Sequence, residues 1–135
     1  MMALSKDRNT KRRDGVQFSF PADAATTIYA GGIVVLAAGW GAPGSAAIGL
    51  IAVGVAEEFV DNSAGAAGDV SVPVRKGVFH FGNSAAADEI ALDDVGGDCY
   101  IVDDGTVALT NGTNTRSVAG KIVDVDSTGV WVEFA

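Results

Sequence analysis

The sequence is poor in the residues from which most catalytic and metal sites are built. It contains one cysteine, Cys99, and one histidine, His80, among 135 residues. A single cysteine forms no disulfide within the chain, and the two residues together are too few for a structural zinc site. Any serine or cysteine nucleophile would depend on His80 as its base. We therefore expect a protein that is not an enzyme and that holds no metal and no cofactor.

Leucine and long apolar runs are also scarce. The chain has 5 Leu against 18 Val, 22 Ala and 18 Gly, a composition that excludes a helical bundle and favours strands and turns. A membrane-spanning helix needs about 20 consecutive apolar residues, and the longest candidate, 28–60, is interrupted by glycines, Pro43 and two glutamates. The N-terminal charges are not followed by an apolar stretch, so no signal peptide is predicted. We expect a soluble protein made inside a cell, without a membrane partner.

Charge is divided unevenly along the chain. Residues 1–14 carry a net charge of +3, whereas residues 15–135 carry −11. Because the first segment has too few apolar residues to bury itself, we predict a basic, disordered N-terminal arm, 1–14, and a single β domain, 15–135. The cations of the arm are Lys6, Arg8, Lys11, Arg12 and Arg13.

Those five cations are the candidate interface residues of the chain. Their charge suits an acidic surface on a protein partner. Nucleic acid is not an expected partner, because a nucleic-acid-binding domain would extend the basic surface and this domain is acidic. The plain alternative is a solvated terminus without a function.

Apolar patterning predicts about nine short strands. Val16, Phe18 and Phe20 alternate with polar residues, which is typical of a half-buried strand, and Pro21 ends it. Pro73 lacks an N–H group, so we expect an edge or bulged strand around it. Further strands are expected at 28–38 (bent at its two glycines), 48–56, 78–81, 99–102, 106–109, 117–125 and 130–134. Such spacing is typical of an all-β fold, a small antiparallel barrel or sandwich, with a helical turn allowed only near 85–93.

Two glycine- and aspartate-rich segments resemble ligand loops. Residues 39–44 match the G-x-G-x-x-G pattern of dinucleotide-binding folds, but the next segment reads as a strand and not as the required helix. Residues 124–129 resemble the start of a calcium loop, yet position twelve would be Ala135 where a bidentate Glu is needed. We interpret both segments as turns.

The two chemically distinctive residues also have plain interpretations. His80 lies between Phe79 and Phe81 on a predicted strand, so alternation places it on the face opposite the two phenylalanines. Cys99 is predicted to be a small core residue.

The order of segments resembles the head decoration (capsid cement) proteins of tailed bacteriophages. The resemblance covers about residues 15–135 and is carried by GLIAVGVAEE, a small-residue loop, GDVSVPVRKGVF and the terminal AGKIVDVDSTGVWVEF. It implies a β-barrel or β-tulip-like fold without catalytic residues. It also implies a virion protein on the outer surface of the capsid, found in the host cytoplasm before assembly. The implied partners are the major capsid protein, whose lattice it stabilises, and further copies of the chain, as a homotrimer or else a dimer.

A second function of a different class remains open. The chain could instead be a small β module of a phage fibre or cell-wall protein that recognises carbohydrate or a small ligand. Such sites use exposed aromatic side chains. Only ten aromatic residues are present, and Phe18, Phe20, Phe79 and Phe81 are predicted to pack on strand faces.

Overall fold

A computed structural model describes residues 3–13 and 15–135, in which antiparallel strands pair into two five-stranded sheets and a two-stranded ribbon. The strands are β1 (Gln17–Pro21), β2 (Thr26–Ile28), β3 (Ile33–Ala37), β4 (Trp40–Pro43), β5 (Ile51–Ala56), β6 (Val60–Asn62), β7 (Ser71–Arg75), β8 (Gly77–Phe81), β9 (Asp98–Asp103), β10 (Thr106–Ala108), β11 (Val118–Asp126) and β12 (Gly129–Phe134). Two short 3-10 helices are present where one helical turn was expected near 85–93: Ala86–Asp88 lies inside that segment and Leu92–Asp94 ends one residue beyond it.

All strands of the first five-stranded sheet precede those of the second in the sequence. The first sheet has the order β1-β7-β5-β3-β4, the second has the order β10-β9-β11-β12-β8, and β2 pairs with β6 as a ribbon. Gly77 (φ 147°) lies where the chain passes from the first sheet to the second, in a backbone conformation that favours glycine.

The first sheet is the middle layer of the fold. One of its faces packs against the second sheet around Val35, Val55, Ile101 and Val132, and its other face packs against the ribbon. Ile33, Val34 and Val35 on β3 are all fully buried, because successive side chains of this strand point into the two different cores.

This two-sided burial corrects the expectation of one bent strand at 28–38. The continuous apolar run is two strands, β2 in the ribbon and β3 in the first sheet, separated at Gly31–Gly32. A run that is apolar at every position has no alternation to show where one strand ends.

Two further local expectations were wrong. Residues 40–43 form β4 and are not a loop; the turn before them is Ala38–Gly39, with positive φ angles of 50° and 88° that suit a tight hairpin. The strand around Pro73 is not an edge strand, since β7 lies between β1 and β5. Pro73 is tolerated there because β5 ends at Ala56, so the missing N–H faces the point where the paired strand ends.

Both five-stranded sheets curl without closing into barrels. In the first sheet, the outer strands β1 and β4 approach each other at one parallel bridge, Ala22–Gly41. In the second sheet, the outer strands β8 and β10 approach each other at the parallel bridge Gly82–Thr106. A Cβ on Gly41 would lie 3.0 Å from Val72 Cγ1 and 3.3 Å from the Pro21 carbonyl oxygen, so this approach depends on glycine. The expected all-β fold is confirmed, with 48% strand and 5% helix, and a sandwich describes it.

Residues 3–13 of the predicted arm form neither strand nor helix and are exposed. Residues 1, 2 and 14, which belong to the same predicted segment, lie outside the described residues. Among the described residues, no helix is long and apolar enough to span a bilayer.

Candidate functional site

The base of the arm rests on the first sheet. The Arg13 guanidinium lies 4.7 Å from the ring centroid of Phe18, and Lys76 Nζ lies 5.5 Å from the same centroid. Cation–π contacts at such exposed positions contribute about 0.5–1 kcal/mol each. Phe18 therefore holds the end of the arm against β1.

The remaining arm cations extend beyond this contact. Lys6, Arg8, Lys11 and Arg12 are exposed. Among the ion pairs formed between described residues, none includes an arm cation; the pairs are Arg75–Glu57, Arg116–Asp88 and Lys121–Asp98, and His80 lies beside Asp126. Arg75, Arg116 and Lys121 of the domain are thus paired with acids of the domain, whereas Lys6, Arg8, Lys11 and Arg12 of the arm are exposed to solvent.

An apolar groove opens where the start of β5 meets β9 and β11. It has a volume of about 540 Å³. Ile48 and Ile51 are 59% and 63% exposed and Val118 is 43% exposed, while Leu50 and Tyr100 are partly buried in its floor. We call these five residues the groove cluster.

Hydrogen bonds from a buried serine fix one wall of the groove. Ser117 Oγ accepts the Leu50 N–H at 3.0 Å and donates to the Ala47 carbonyl oxygen at 2.7 Å. Ser117 is only 8% exposed, so both of its partners are satisfied away from bulk water. The segment that carries Ile48 and Ile51 is therefore tied to the strand that carries Val118.

The opposite wall is held by Arg116. Its guanidinium donates to the Thr110 carbonyl oxygen at 3.2 Å and lies 3.3 Å from Asp88 Oδ2. Asp88 also accepts a hydrogen bond from the Thr110 hydroxyl, which is the main reason that the pKa of Asp88 is lowered. These contacts order the loop between β10 and β11.

A second exposed apolar feature is an aromatic pair at the end of the ribbon. Pairing of Ile28 with Val60 brings the next residues, Tyr29 and Phe59, together with their ring centroids 5.5 Å apart. Their exposed fractions are 61% and 55%. Glu57 and Glu58 directly precede Phe59, so the pair lies beside negative charge.

His80 belongs to a polar cluster around Asp126. His80 Nε2 lies 3.4 Å from Asp126 Oδ1 and 3.3 Å from Thr128 Oγ1, and the Thr128 hydroxyl donates to Asp126 at 2.6 Å. In a catalytic triad the carboxylate and the hydroxyl contact different imidazole nitrogens. Here both approach the same nitrogen and the hydroxyl donates to the carboxylate, so the arrangement does not activate Thr128.

Asp126 instead stabilises the turn between β11 and β12. Its Oδ1 also accepts the backbone N–H groups of Thr128 and Gly129, and its Oδ2 accepts the Trp131 indole N–H at 3.0 Å. The hydroxyl and N–H of Thr128, followed by Trp131, hold the pKa of Asp126 well below its usual range. The segment that resembles a calcium loop is therefore a hairpin turn closed by its own aspartate.

Cys99 and the faces of β8 are as predicted from the sequence. Cys99 is fully buried in the core between the two five-stranded sheets, and burial raises the pKa of its thiol to about 11. Phe81 is buried and Phe79 packs against the same core, while His80 is exposed on the other face. At neutral pH the thiol is protonated and is a weak nucleophile.

The remaining motif also has a structural explanation. Residues 39–44 form a hairpin with β3, and Gly44 is buried at the contact between the first and second sheets, where a Cβ would lie 3.1 Å from Ile101 Cγ2. Within the described ranges, 3–13 and 15–135, no three His, Cys, Asp or Glu side chains are grouped so as to hold a metal ion.

Comparisons of the chain with protein-family models, with curated proteins and with solved structures found no match.

Sequence patterns identified the arm cations but missed the groove cluster and the aromatic pair. The segment 48–56 reads as one strand, whereas β5 begins at Ile51 after Gly49 (φ 78°), which leaves Ile48 in an exposed turn. The glycine at 49 is the one local signal of that break. Tyr29 and Phe59 are 30 positions apart in the chain, and only the pairing of β2 with β6 brings them together.

Proposed function

We propose that this protein is a structural virion protein that binds the outer surface of a tailed-bacteriophage head and stabilises its major capsid protein lattice. The observation that carries the proposal is the arm: four exposed cations follow one another along a segment that is attached to a strongly acidic domain through Arg13 and Phe18. The resemblance of residues 15–135 to head decoration proteins supports the same function.

The arm and the domain carry net charges of opposite sign, which suit them to different roles in the proposed function. A domain with a net charge of −11 resists nonspecific aggregation and stays soluble before assembly. The arm supplies the attraction to carboxylates on the head. Each exposed ion pair contributes about 0.2–1 kcal/mol, so four pairs together amount to a roughly 4- to 900-fold change in affinity. Several arms acting in one oligomer would multiply that effect.

The oligomer is part of the proposal. We propose a homotrimer, with a dimer as the alternative, because symmetric contact between identical copies is the common way for a small subunit to cover exposed apolar surface. The groove cluster and the aromatic pair supply such surface.

Co-sedimentation with empty heads, assembled from a major capsid protein encoded beside this chain, tests the proposal. The full-length protein should pellet with heads at low salt and progressively less as salt is added. A neutralised arm (Lys6→Gln, Arg8→Gln, Lys11→Gln, Arg12→Gln) should bind about 4- to 900-fold more weakly. Arg13 is kept because it anchors the arm on Phe18.

The matched control keeps every charge and changes every side chain: Lys6→Arg, Arg8→Lys, Lys11→Arg, Arg12→Lys. It should bind within about threefold of the original protein, because screened exposed pairs depend on charge more than on side-chain shape. Equal binding of the neutralised arm and the original protein at low salt would contradict the role of the arm. No binding by any variant would contradict head decoration altogether.

The aromatic pair supports one alternative, a carbohydrate-binding module. Tyr29 and Phe59 present exposed rings next to Glu57 and Glu58, which is the combination of apolar platform and polar groups that sugars require. Calorimetric titration with cell-wall glycan fragments tests it, using Phe59→Ala as the variant and Trp40→Ala as a matched exposed aromatic elsewhere. Saturable binding that is abolished by Phe59→Ala and kept by Trp40→Ala would favour a carbohydrate-binding module over a head decoration protein.

A further inference from the structure

The outward face of the ribbon combines aromatic rings with carboxylates. Tyr29 and Phe59 are the two most exposed aromatic side chains of the chain. Asp61 lies two positions after Phe59 and is exposed on the same face, because side chains alternate along a strand, and the exposed Glu58 directly precedes Phe59. Among the described residues, no lysine or arginine forms an ion pair with Glu58 or Asp61. The two rings therefore lie beside carboxylates whose charge is not balanced within the domain.

This combination of groups is suited to binding a cation. The face of an aromatic ring attracts ammonium and guanidinium groups, and neighbouring rings are the arrangement that proteins use to recognise them. The chain already contains one such contact, since the Arg13 guanidinium lies 4.7 Å from the ring centroid of Phe18. A neutral ligand draws no benefit from the net charge of Glu58 and Asp61, whereas an arginine or lysine side chain is attracted by that charge and by the rings.

The cations that can fill this surface are those of the arm. Three of the four basic residues of the domain form ion pairs with its acids, and Lys76 Nζ donates to the Ala135 carbonyl oxygen at 2.9 Å. The four arm cations before Arg13 are exposed, and none of them forms an ion pair or lies over an aromatic ring among the described residues. Within one copy, the arm and the outward face of the ribbon thus have complementary charge but do not meet.

We propose that the arm of one copy lies on the ribbon of a neighbouring copy, with its lysine and arginine side chains against Tyr29, Phe59 and the carboxylates beside them. Extended, residues 3–12 span roughly 30 Å, about the diameter of a small domain, so an arm anchored at Arg13 reaches an adjacent copy. The contact joins two different surfaces, so repetition around a threefold axis gives every copy one donated arm and one occupied ribbon.

The exchange of arms also answers the charge of the domain. Residues 1–14 bring a net charge of +3 to a neighbour whose residues 15–135 carry −11, which offsets the repulsion between acidic copies. The proposal rests on the self-association that forms part of the proposed function and not on head binding. Carboxylates on a head would compete with the ribbon for the same arm cations.

Disulfide trapping between copies tests the contact directly. A protein with Thr10→Cys is mixed with a second protein carrying Thr27→Cys, since Thr27 pairs with Asp61 next to the aromatic rings, and the mixture is mildly oxidised. The native Cys99 is buried and does not compete. We expect at least about five times more disulfide-linked heterodimer than with Ser127→Cys, an exposed position in the β11–β12 turn.

Two results of the trapping experiment would overturn the proposal. Equal yields with Thr27→Cys and Ser127→Cys would show that the arm has no preferred position on a neighbouring copy. A dilute Thr10→Cys/Thr27→Cys double variant that closes its disulfide within one chain, together with no heterodimer in the mixture, would place each arm on its own ribbon.

Sedimentation equilibrium without heads tests the chemistry of the contact. Glu58→Lys combined with Phe59→Ala should raise the dissociation constant of the oligomer at least about fivefold, because a carboxylate and a ring that face the arm are both lost. The matched control, Glu89→Lys combined with Trp40→Ala, makes the same change of charge and removes an exposed aromatic elsewhere. It should associate within about twofold of the original protein. Circular dichroism should show unchanged strand content in both variants.

The remaining outcomes contradict the proposal. A monomeric original protein would show that arms are not exchanged, and undiminished association of the Glu58→Lys/Phe59→Ala variant would place the contact elsewhere. Equal weakening in the control would assign the effect to net charge and not to the ribbon. Failure of head binding would leave all these results unchanged, so the two proposals fail separately.

Discussion

Ser117, directly before β11, and Leu50, directly before β5, are 67 positions apart, and a 3.0 Å hydrogen bond from the Leu50 N–H to Ser117 Oγ joins them. The same hydroxyl donates to the Ala47 carbonyl oxygen. One small buried side chain thereby connects the segment leading into the first sheet with a strand of the second. The groove cluster exists because this connection holds its two sides in place.

Replacing Ser117 with Ala should weaken the fold. The Leu50 N–H and the Ala47 carbonyl would lose their partner, which costs about 1–3 kcal/mol of unfolding free energy. Urea denaturation measures this loss. Ser127→Ala, an exposed serine in the β11–β12 turn, serves as the control and should leave the unfolding free energy unchanged. A stable Ser117→Ala protein would show that water replaces the hydroxyl.

The β11–β12 turn should be sensitive to acid through Asp126. A carboxyl whose pKa is lowered in the folded state contributes stability above its unfolded pKa of about 3.9, and that stability is lost as the pH falls below this value. Asp126→Ala should therefore lower the thermal midpoint at pH 7, and its difference from the original protein should shrink by pH 2–3. Asp126→Asn keeps an acceptor oxygen and should fall between the two. A difference that does not vary with pH would contradict the role of the carboxylate charge.

Cys99 should make the fold sensitive to alkali. Because burial raises the pKa of the thiol from 9.0 to about 11, the folded state keeps its proton after the unfolded chain has lost it. Stability from this group is complete below pH 9 and decreases as the pH rises toward 11, by on the order of 1 kcal/mol per pH unit. The measurement is the unfolding free energy of the original protein minus that of Cys99→Ala at pH 8, 9, 10 and 11. A constant difference would mean that the thiol ionises equally in both states.

The contact of Arg13 with Phe18 should restrain the base of the arm. Phe18→Leu keeps the apolar character of the position and removes the ring on which the guanidinium rests. We expect lower backbone order parameters for residues 11–13 by nuclear magnetic resonance, since a contact of about 0.5–1 kcal/mol is lost. Trp40→Leu, at an exposed aromatic on β4, should leave the arm unchanged. Unaltered order parameters in Phe18→Leu would show that β1 alone positions the arm.

Alternation along a strand was the most reliable sequence signal for the fold. Phe18 and Phe20 on β1 and the residues around His80 on β8 agree with the alternation, because each strand covers one face more than the other and so produces a pattern with a period of two. Val16, which was expected to continue that pattern, is exposed and precedes β1. The pattern disappears where both faces are buried, and so β2 and β3 were read as one strand. The expectation of an edge strand at Pro73 was wrong for a related reason. The missing N–H removes one backbone hydrogen bond on one side of β7, but the rest of that side still pairs with β5.

The candidate surfaces also differ in whether the sequence alone reveals them. The five arm cations lie within eight residues, 6–13, so their charge is visible without a structure. The groove cluster and the Tyr29–Phe59 pair are each assembled from segments far apart in the chain. Their exposure follows from strand pairing, which no local pattern specifies, and from the break before β5, of which Gly49 is the one local signal.

Electron microscopy of empty heads mixed with the purified protein tests head decoration most directly. The account predicts added density at regular positions on the outer surface of the lattice, and less of it at equal concentration when the arm is neutralised. Heads that remain bare at concentrations far above those at which copies associate would contradict the account.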